Sequence, residues 1–148
     1  MTAHEVLKTY YGYDHFRPLQ EEIIQSVLDG RDTLALLPTG GGKSICFQVP
    51  TLVMTQKEVE YRSDELGLCL VITPLIALMK DQVENLKRRN ILAASLHSGM
   101  SMQDQSTVFD NCQYGPYRFL YISPERLGST TFRERLTKLP IKLIAVDE

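Results

Sequence analysis

No apolar run in this sequence approaches the roughly 20 residues that a membrane-spanning helix needs. Met1 to Lys8 lack the basic-then-apolar layout of a secretory signal. Cysteine is scarce: the three residues Cys46, Cys69 and Cys112 are widely spaced and sit in apolar surroundings. They form no metal-ligand pattern, and their odd number argues against a disulfide framework. Buried, reduced thiols and a cytoplasmic setting are the expectation, nucleoid-associated if the source is bacterial. Excess positive charge is also missing. The formal net charge is −2, so composition gives no support for nucleic-acid binding, and any such reading must rest on motifs. Internal repeats and low-complexity tracts are absent. What remains is an ordinary globular composition, 43% hydrophobic and 23% charged, in 148 residues. That length accommodates one domain at most, spanning 1–148.

Against this plain background one stretch stands out, Pro38-Thr39-Gly40-Gly41-Gly42-Lys43-Ser44. It follows the apolar run Thr33 to Leu37 and opens the apolar segment Ile45 to Met54. A strand, a glycine-rich loop and a helix are the context of a phosphate-binding loop. Glycines let successive N–H groups turn inward as an anion cradle, and the helix N-terminus adds donors and a favourable dipole. Lys43 can place a charge on the β- and γ-phosphates, and Ser44 a hydroxyl on Mg²⁺. The strict Walker pattern is not met, because Leu37 stands where its first glycine would be.

Short apolar runs alternate with helical patterns. Strands are expected at Thr33–Leu37, Cys69–Thr73, Ala93–Leu96, Phe119–Ile122 and Leu143–Val146. Helices are expected near Leu19–Leu28, Lys43–Met54, Ile76–Arg89, Met102–Cys112 and Glu125–Lys138. Such alternation predicts an α/β fold, a mostly parallel sheet covered by helices on both faces. Ligands collect at the carboxyl ends of strands in such sheets. Each motif falls at such an end: Pro38–Ser44, Pro74, His97–Gly99, Ser123–Pro124 and Asp147–Glu148. Thr55–Gly67 is a polar interruption, expected as a surface loop or a helical extension. The last residue, Glu148, directly follows an apolar strand. We therefore expect a fragment of a longer protein whose sheet ends on an unfinished edge.

Asp147 and Glu148 close the run Leu143-Ile144-Ala145-Val146. One acid at such a strand tip can hold Mg²⁺, and a second can orient or deprotonate an attacking water. In Gly12–Gln20, Tyr13 and Arg17 can stack on a base and Gln20 can pair with adenine. The same residues equally suit a turn with Pro18 at the first helical position and Gln20 in a solvated first turn. Pro74, Leu75 and Lys80 begin a helix whose N–H groups could hold a backbone phosphate. Lys87, Arg88 and Arg89 are better read as complementing the helix dipole. Ser123-Pro124 can be a cap followed by proline, and His97 at a polar strand end is more often structural than catalytic.

Together, GYDHFRPLQ, LPTGGGKS, VITPLIALMKDQV, LYISPERL and LIAVDE resemble, in family order, the RecQ-like branch of superfamily-two DNA helicases. The resemblance covers almost the whole chain. It implies a RecA-like P-loop NTPase domain, here truncated, that hydrolyses ATP with Mg²⁺. It also implies 3′-to-5′ unwinding of DNA in recombination and repair. Residues 1–30 would carry adenine recognition through Tyr13, Arg17 and Gln20. Thr39, Gly40, Gly41, Gly42, Lys43 and Ser44 would bind the phosphates. Ser44 and Asp147 would hold Mg²⁺, with Lys43 and Glu148 catalytic. Pro74, Leu75, Lys80, His97, Ser98, Gly99, Ser123, Pro124 and Arg126 would touch the DNA strand. Leu19 replaces the glycine usual in that turn, and Thr55–Gly67 is longer than the family's connection. A second motor domain with its arginine finger would have to follow in the full-length chain. A DEAD-box RNA helicase and a non-motor P-loop protein are the competing readings.

Overall fold

The computed structural model describes residues 1–38, 42–55 and 67–147. The chain forms two compact units, Met1–Gln56 and Lys57–Glu148.

The first unit is helical. A short helix, α1 (Ala3–Val6), continues as a π-helical turn over Leu7–Tyr11. The sequence announces α1 through a capping box that the apolar periodicity did not bring out. The Thr2 hydroxyl accepts from the Glu5 N–H, and the Glu5 carboxylate accepts from the Thr2 N–H, which satisfies two otherwise orphaned donors. Helices α2 (Gln20–Leu28) and α3 (Lys43–Met54) pack together and bury Ile24, Cys46, Val49 and Leu52. The Tyr11 hydroxyl donates to Gln48 Oε1 across 2.6 Å and ties the N-terminal turn to α3.

The strand expected at Thr33–Leu37 does not form. Residues 31–38 adopt no regular structure, and Leu34 and Leu36 are 88% and 81% exposed. A strand exists only when a neighbour completes its ladder, and among the described residues none pairs with this run. Apolar character made the segment look like a strand but could not supply the partner.

The second unit is a four-stranded, all-parallel sheet in the order β2-β3-β1-β4. Its strands are β1 (Leu68–Ile72), β2 (Ala93–Leu96), β3 (Phe119–Ile122) and β4 (Ile141–Val146). The intervening helices are α4 (Ile76–Arg88), α5 (Met102–Tyr114) and α6 (Thr130–Leu136). Leu70, Leu96, Leu120 and Ile122 pack with Phe109 and Cys112 of α5 and with Phe132 and Leu136 of α6. Helix α4 contacts β2 and β3, and the Tyr121 hydroxyl of β3 donates to Gln82 Oε1 of α4 across 2.7 Å. Period-two alternation then assigns α4 to the face opposite α5 and α6. The mostly parallel sheet with helices on both faces, expected from the alternating pattern, is therefore observed.

The helix expected over Glu125–Lys138 is broken. A 3₁₀ turn (Pro124–Gly128) precedes α6, and the Ser129 hydroxyl caps α6 by accepting from the Phe132 N–H. Gly128-Ser129 is the stop-and-restart signal. Strand β4 lies at the sheet edge, where Ile144 and Val146 remain 58% and 74% exposed. No helix among the described residues is long and apolar enough to cross a membrane.

Candidate nucleotide and nucleic-acid site

In the first unit the sequence around Gln20 folds into a short bridge. Helix α2 starts at Gln20, two residues later than Pro18 would suggest, because Leu19 takes a left-handed conformation (φ 72°) as its N-cap. The turn aims the Gln20 side chain inward, and only 2% of the residue is exposed. The reading of Gln20 as part of a solvated first turn is thus corrected. Its Oε1 accepts from the Arg17 N–H at 2.8 Å, and its Nε2 donates to the Gly42 carbonyl at 3.1 Å. One amide therefore joins the Arg17 turn to the end of the glycine-rich loop. Arg17 and Tyr13 stay on the surface.

Gly42 caps α3 at φ 75°, and a side chain there would run into Gln20 Nε2. The backbone angle calls for glycine, and a Cβ would in addition displace the Gln20 amide from its bond to the Gly42 carbonyl. Among the described residues no side chain caps α3, a 12-residue helix whose first N–H groups directly follow the loop in sequence. Lys43 is exposed and Ser44 half-buried in that first turn. Thr39, Gly40, Gly41 and Glu148 lie outside the described residues. An open depression near the Arg17 turn is lined by Glu21, Glu22 and Asp29 as well as Arg17 and Arg31. Its acid content suits a polyphosphate poorly, and we do not place one there.

In the second unit the strand ends align. Ile72 is in register with Ile122 and Val146, and Leu96 with Ile122. The residues that follow, Thr73, His97, Ser123 and Asp147, therefore form one row at inter-strand spacing, about 4.8 Å apart. The ladder holds them there: the Thr73 N–H donates to the Ile122 carbonyl at 3.0 Å and the Asp147 N–H to the Ile72 carbonyl at 2.9 Å. Beyond the row, Pro74, Leu75, Lys80, Ser98, Gly99 and Pro124 are exposed, while Ser123 is buried. Among the described residues helix α4 has no side-chain cap, and its first turn carries no acid, so its N-terminal donors favour an anion. By contrast α5 is capped by the Ser101 hydroxyl, which accepts from the Asp104 N–H. Gly99 turns at φ 91° with open space around it.

Sequence reasoning missed two connections. The Arg126 guanidinium donates to the His97 carbonyl and to Gln105 Oε1. Gln105 Nε2 in turn donates to the Met100 carbonyl at 3.0 Å. No motif marks Gln105, so only the fold could reveal it. The three cysteines are buried and form no disulfide, and burial pushes the Cys112 thiol up to about 12 and raises Cys46 as well.

The comparisons agree with these features. The model of the DEAD/DEAH box helicase family matches residues 17–148. A probable ATP-dependent DNA helicase, RecS, of Bacillus subtilis is 39% identical over 97% of this chain. The ATP-dependent DNA helicase RecQ of Synechocystis is 44% identical over 97%, and that of Haemophilus influenzae 40% identical over 99%. The matched part is 27%, 28% and 22% of those three proteins, so this chain spans about a quarter of their length. The RecQ-like resemblance read from the motifs is borne out by these relatives. With most of its length matched by the family model, the chain belongs to the DEAD/DEAH box helicases.

Proposed function

We propose that this chain is the nucleotide-binding part of an ATP-dependent DNA helicase, unwinding 3′-to-5′ in recombination and repair. The observation that carries the reading is the in-register row of strand ends, flanked by exposed polar segments and the uncapped start of α4. A strand of backbone phosphates can lie along such a row, held by N–H donors and by Lys80. The proposed contacts are Pro74, Leu75, Lys80, His97, Ser98, Gly99, Ser123 and Pro124.

For the nucleotide, Tyr13, Arg17 and Gln20 frame the adenine. The Gln20 bridge supports the placing of Arg17, because it holds the Arg17 turn beside Gly42 with both of its own amide atoms engaged. The loop through Ser44 cradles the phosphates, and Lys43 offsets charge that develops on the transferred phosphoryl group. Ser44 and Asp147 offer the hard oxygen donors that suit Mg²⁺. When bound with the nucleotide, Mg²⁺ neutralises charge on the β- and γ-phosphates. Glu148 orients a water and takes its proton as the water oxygen bonds to the γ-phosphorus and the bridging oxygen leaves with ADP. A second motor domain in the longer chain supplies the stabilising arginine.

ATP turnover by the full-length protein tests this reading, measured alone, with single-stranded DNA and with RNA of equal length. Stimulation by DNA is expected, and Lys43→Ala is expected to cut turnover by about 10³-fold or more. Stimulation by RNA alone would replace the DNA reading with an RNA helicase. Turnover indifferent to both would leave a non-motor P-loop enzyme, and undiminished turnover in Lys43→Ala would remove the site assignment.

A further inference from the structure

We infer that Arg126 is a positioning residue rather than a DNA contact, and that with Gln105 it clasps the loop after β2 to the turn after β3. The inference deepens the proposed DNA-binding row and rests on it. The backbone of Arg126 belongs to the 3₁₀ turn, where its N–H donates to the Ser123 carbonyl at 3.2 Å. Its side chain leaves that turn and reaches the neighbouring strand end. Nη2 donates to the His97 carbonyl and Nη1 to Gln105 Oε1 at 3.1 Å. The guanidinium carbon lies 5.9 Å from the centroid of the Phe132 ring. Gln105 completes the clasp from α5 by donating to the Met100 carbonyl. Two carbonyls of the loop, those of His97 and Met100, are thus held from the protein side. Ser98 and Gly99 between them remain exposed.

The residue types suit this task. A guanidinium is planar and presents several N–H donors in fixed directions, so it can serve a carbonyl, an amide oxygen and a ring at once. Bonds from a charged donor are also stronger than neutral ones. A lysine ammonium keeps the charge but cannot reproduce the fork. A half-buried guanidinium committed to these partners is poorly placed to follow a mobile phosphate chain. Its value lies in fixing how His97–Gly99 stands relative to Ser123-Pro124, two segments that must act together on one strand of DNA.

The test compares wild type with Arg126→Lys, Arg126→Gln, Gln105→Leu and the Arg126→Lys/Gln105→Leu double variant in the full-length protein. Hydrogen exchange without DNA is expected to rise at residues 97–100 in Arg126→Lys while β1 and β3 stay protected. Single-stranded DNA affinity across a salt series is expected to fall about 5- to 10-fold in Arg126→Lys and in Gln105→Leu, and no further in their double variant. The slope against salt should stay at the wild-type value in Arg126→Gln, since no phosphate contact is lost. Wild-type affinity in Arg126→Lys, or a slope reduced by about 0.7 in Arg126→Gln, would identify a phosphate contact and overturn the inference. Unchanged exchange at 97–100 would overturn it too. A wild-type protein that holds no single-stranded DNA refutes the DNA reading itself, and the inference falls with it.

Discussion

In the unit Lys57–Glu148 the apolar side chains of β1, β2 and β3 are consumed by a core, whereas in Met1–Gln56 the run before the glycine-rich segment leaves Leu34 and Leu36 in solvent. The first arrangement draws its order from burial. The second draws the order of its functional end from backbone geometry: a left-handed Leu19, a left-handed Gly42 and one buried amide between them. Burial is spread over many contacts and tolerates small changes. Turn geometry is concentrated in a few residues, so one substitution can move a whole loop. On the proposed reading, that difference suits a loop that admits and releases a nucleotide, and a sheet that keeps its strand ends in register.

The largest expected effect sharpens the contrast within the apolar residues. Leu120→Ala empties a fully buried position in β3 and is expected to cost about 2–5 kcal/mol. Leu34→Ala in this chain removes an exposed side chain and is expected to change stability by no more than about 0.5 kcal/mol. Urea unfolding of both variants checks the pair. A loss at Leu34 as large as at Leu120 would mean that the run is packed in solution, and the contrast would collapse.

Next comes the amide itself. Gln20→Ala leaves the Arg17 N–H and the Gly42 carbonyl without their side-chain partner, at a cost of about 1–3 kcal/mol for such a buried loss. Amide exchange at residues 17–20 and 42–46 should report it locally, with little change in the sheet. If adenine recognition also runs through this residue, ATP binding should weaken and lose its advantage over GTP. Weakened binding with the ATP preference intact would leave Gln20 as a brace for the loop alone.

Much of this contrast was legible beforehand. The strands β1 to β4 and the helices α2 to α5 declare themselves through apolar runs and their spacing, and helix α3 begins and ends where its pattern does. The strand-end row follows once a parallel sheet is granted. Three features escaped because they depend on partners. The Thr33–Leu37 run has strand composition but no paired neighbour among the described residues. The burial of Gln20 depends on the φ of Leu19, which no apolar period encodes. The Arg126–Gln105 clasp joins residues far apart in sequence that only the fold brings together.

A pH experiment probes the buried side of the comparison. Cys112 lies in the core of the sheet unit, and its thiol is raised from 9.0 to about 12 by burial. The folded thiol stays protonated where the unfolded one ionises. Its contribution is therefore whole below pH 9.0 and is lost as pH rises towards about 12, by up to about 1.4 kcal/mol per unit. Unfolding midpoints at about pH 8 and about pH 10 should fall more steeply in wild type than in Cys112→Ala. Equal slopes would mean that the thiol meets solvent and that this core is looser than its packing implies.

The smallest effect tests the backbone side. Leu19 and Asn90 are the non-glycine residues at positive φ among those described, at 72° and 62°. Asparagine tolerates the left-handed region because its side chain bonds locally, whereas a leucine there carries a steric cost of about 1–2 kcal/mol. Leu19 is also 51% exposed, so its side chain returns only part of that cost through burial. Replacing it with glycine removes the clash but adds about 0.5–1 kcal/mol of unfolded-chain entropy to be lost on folding. The balance favours Leu19→Gly by about 0.5–1 kcal/mol, while Asn90→Gly should be neutral or slightly destabilising. Paired unfolding curves decide it. A destabilised Leu19→Gly would show that the leucine side chain holds the turn by packing, and that both units are ordered by burial after all.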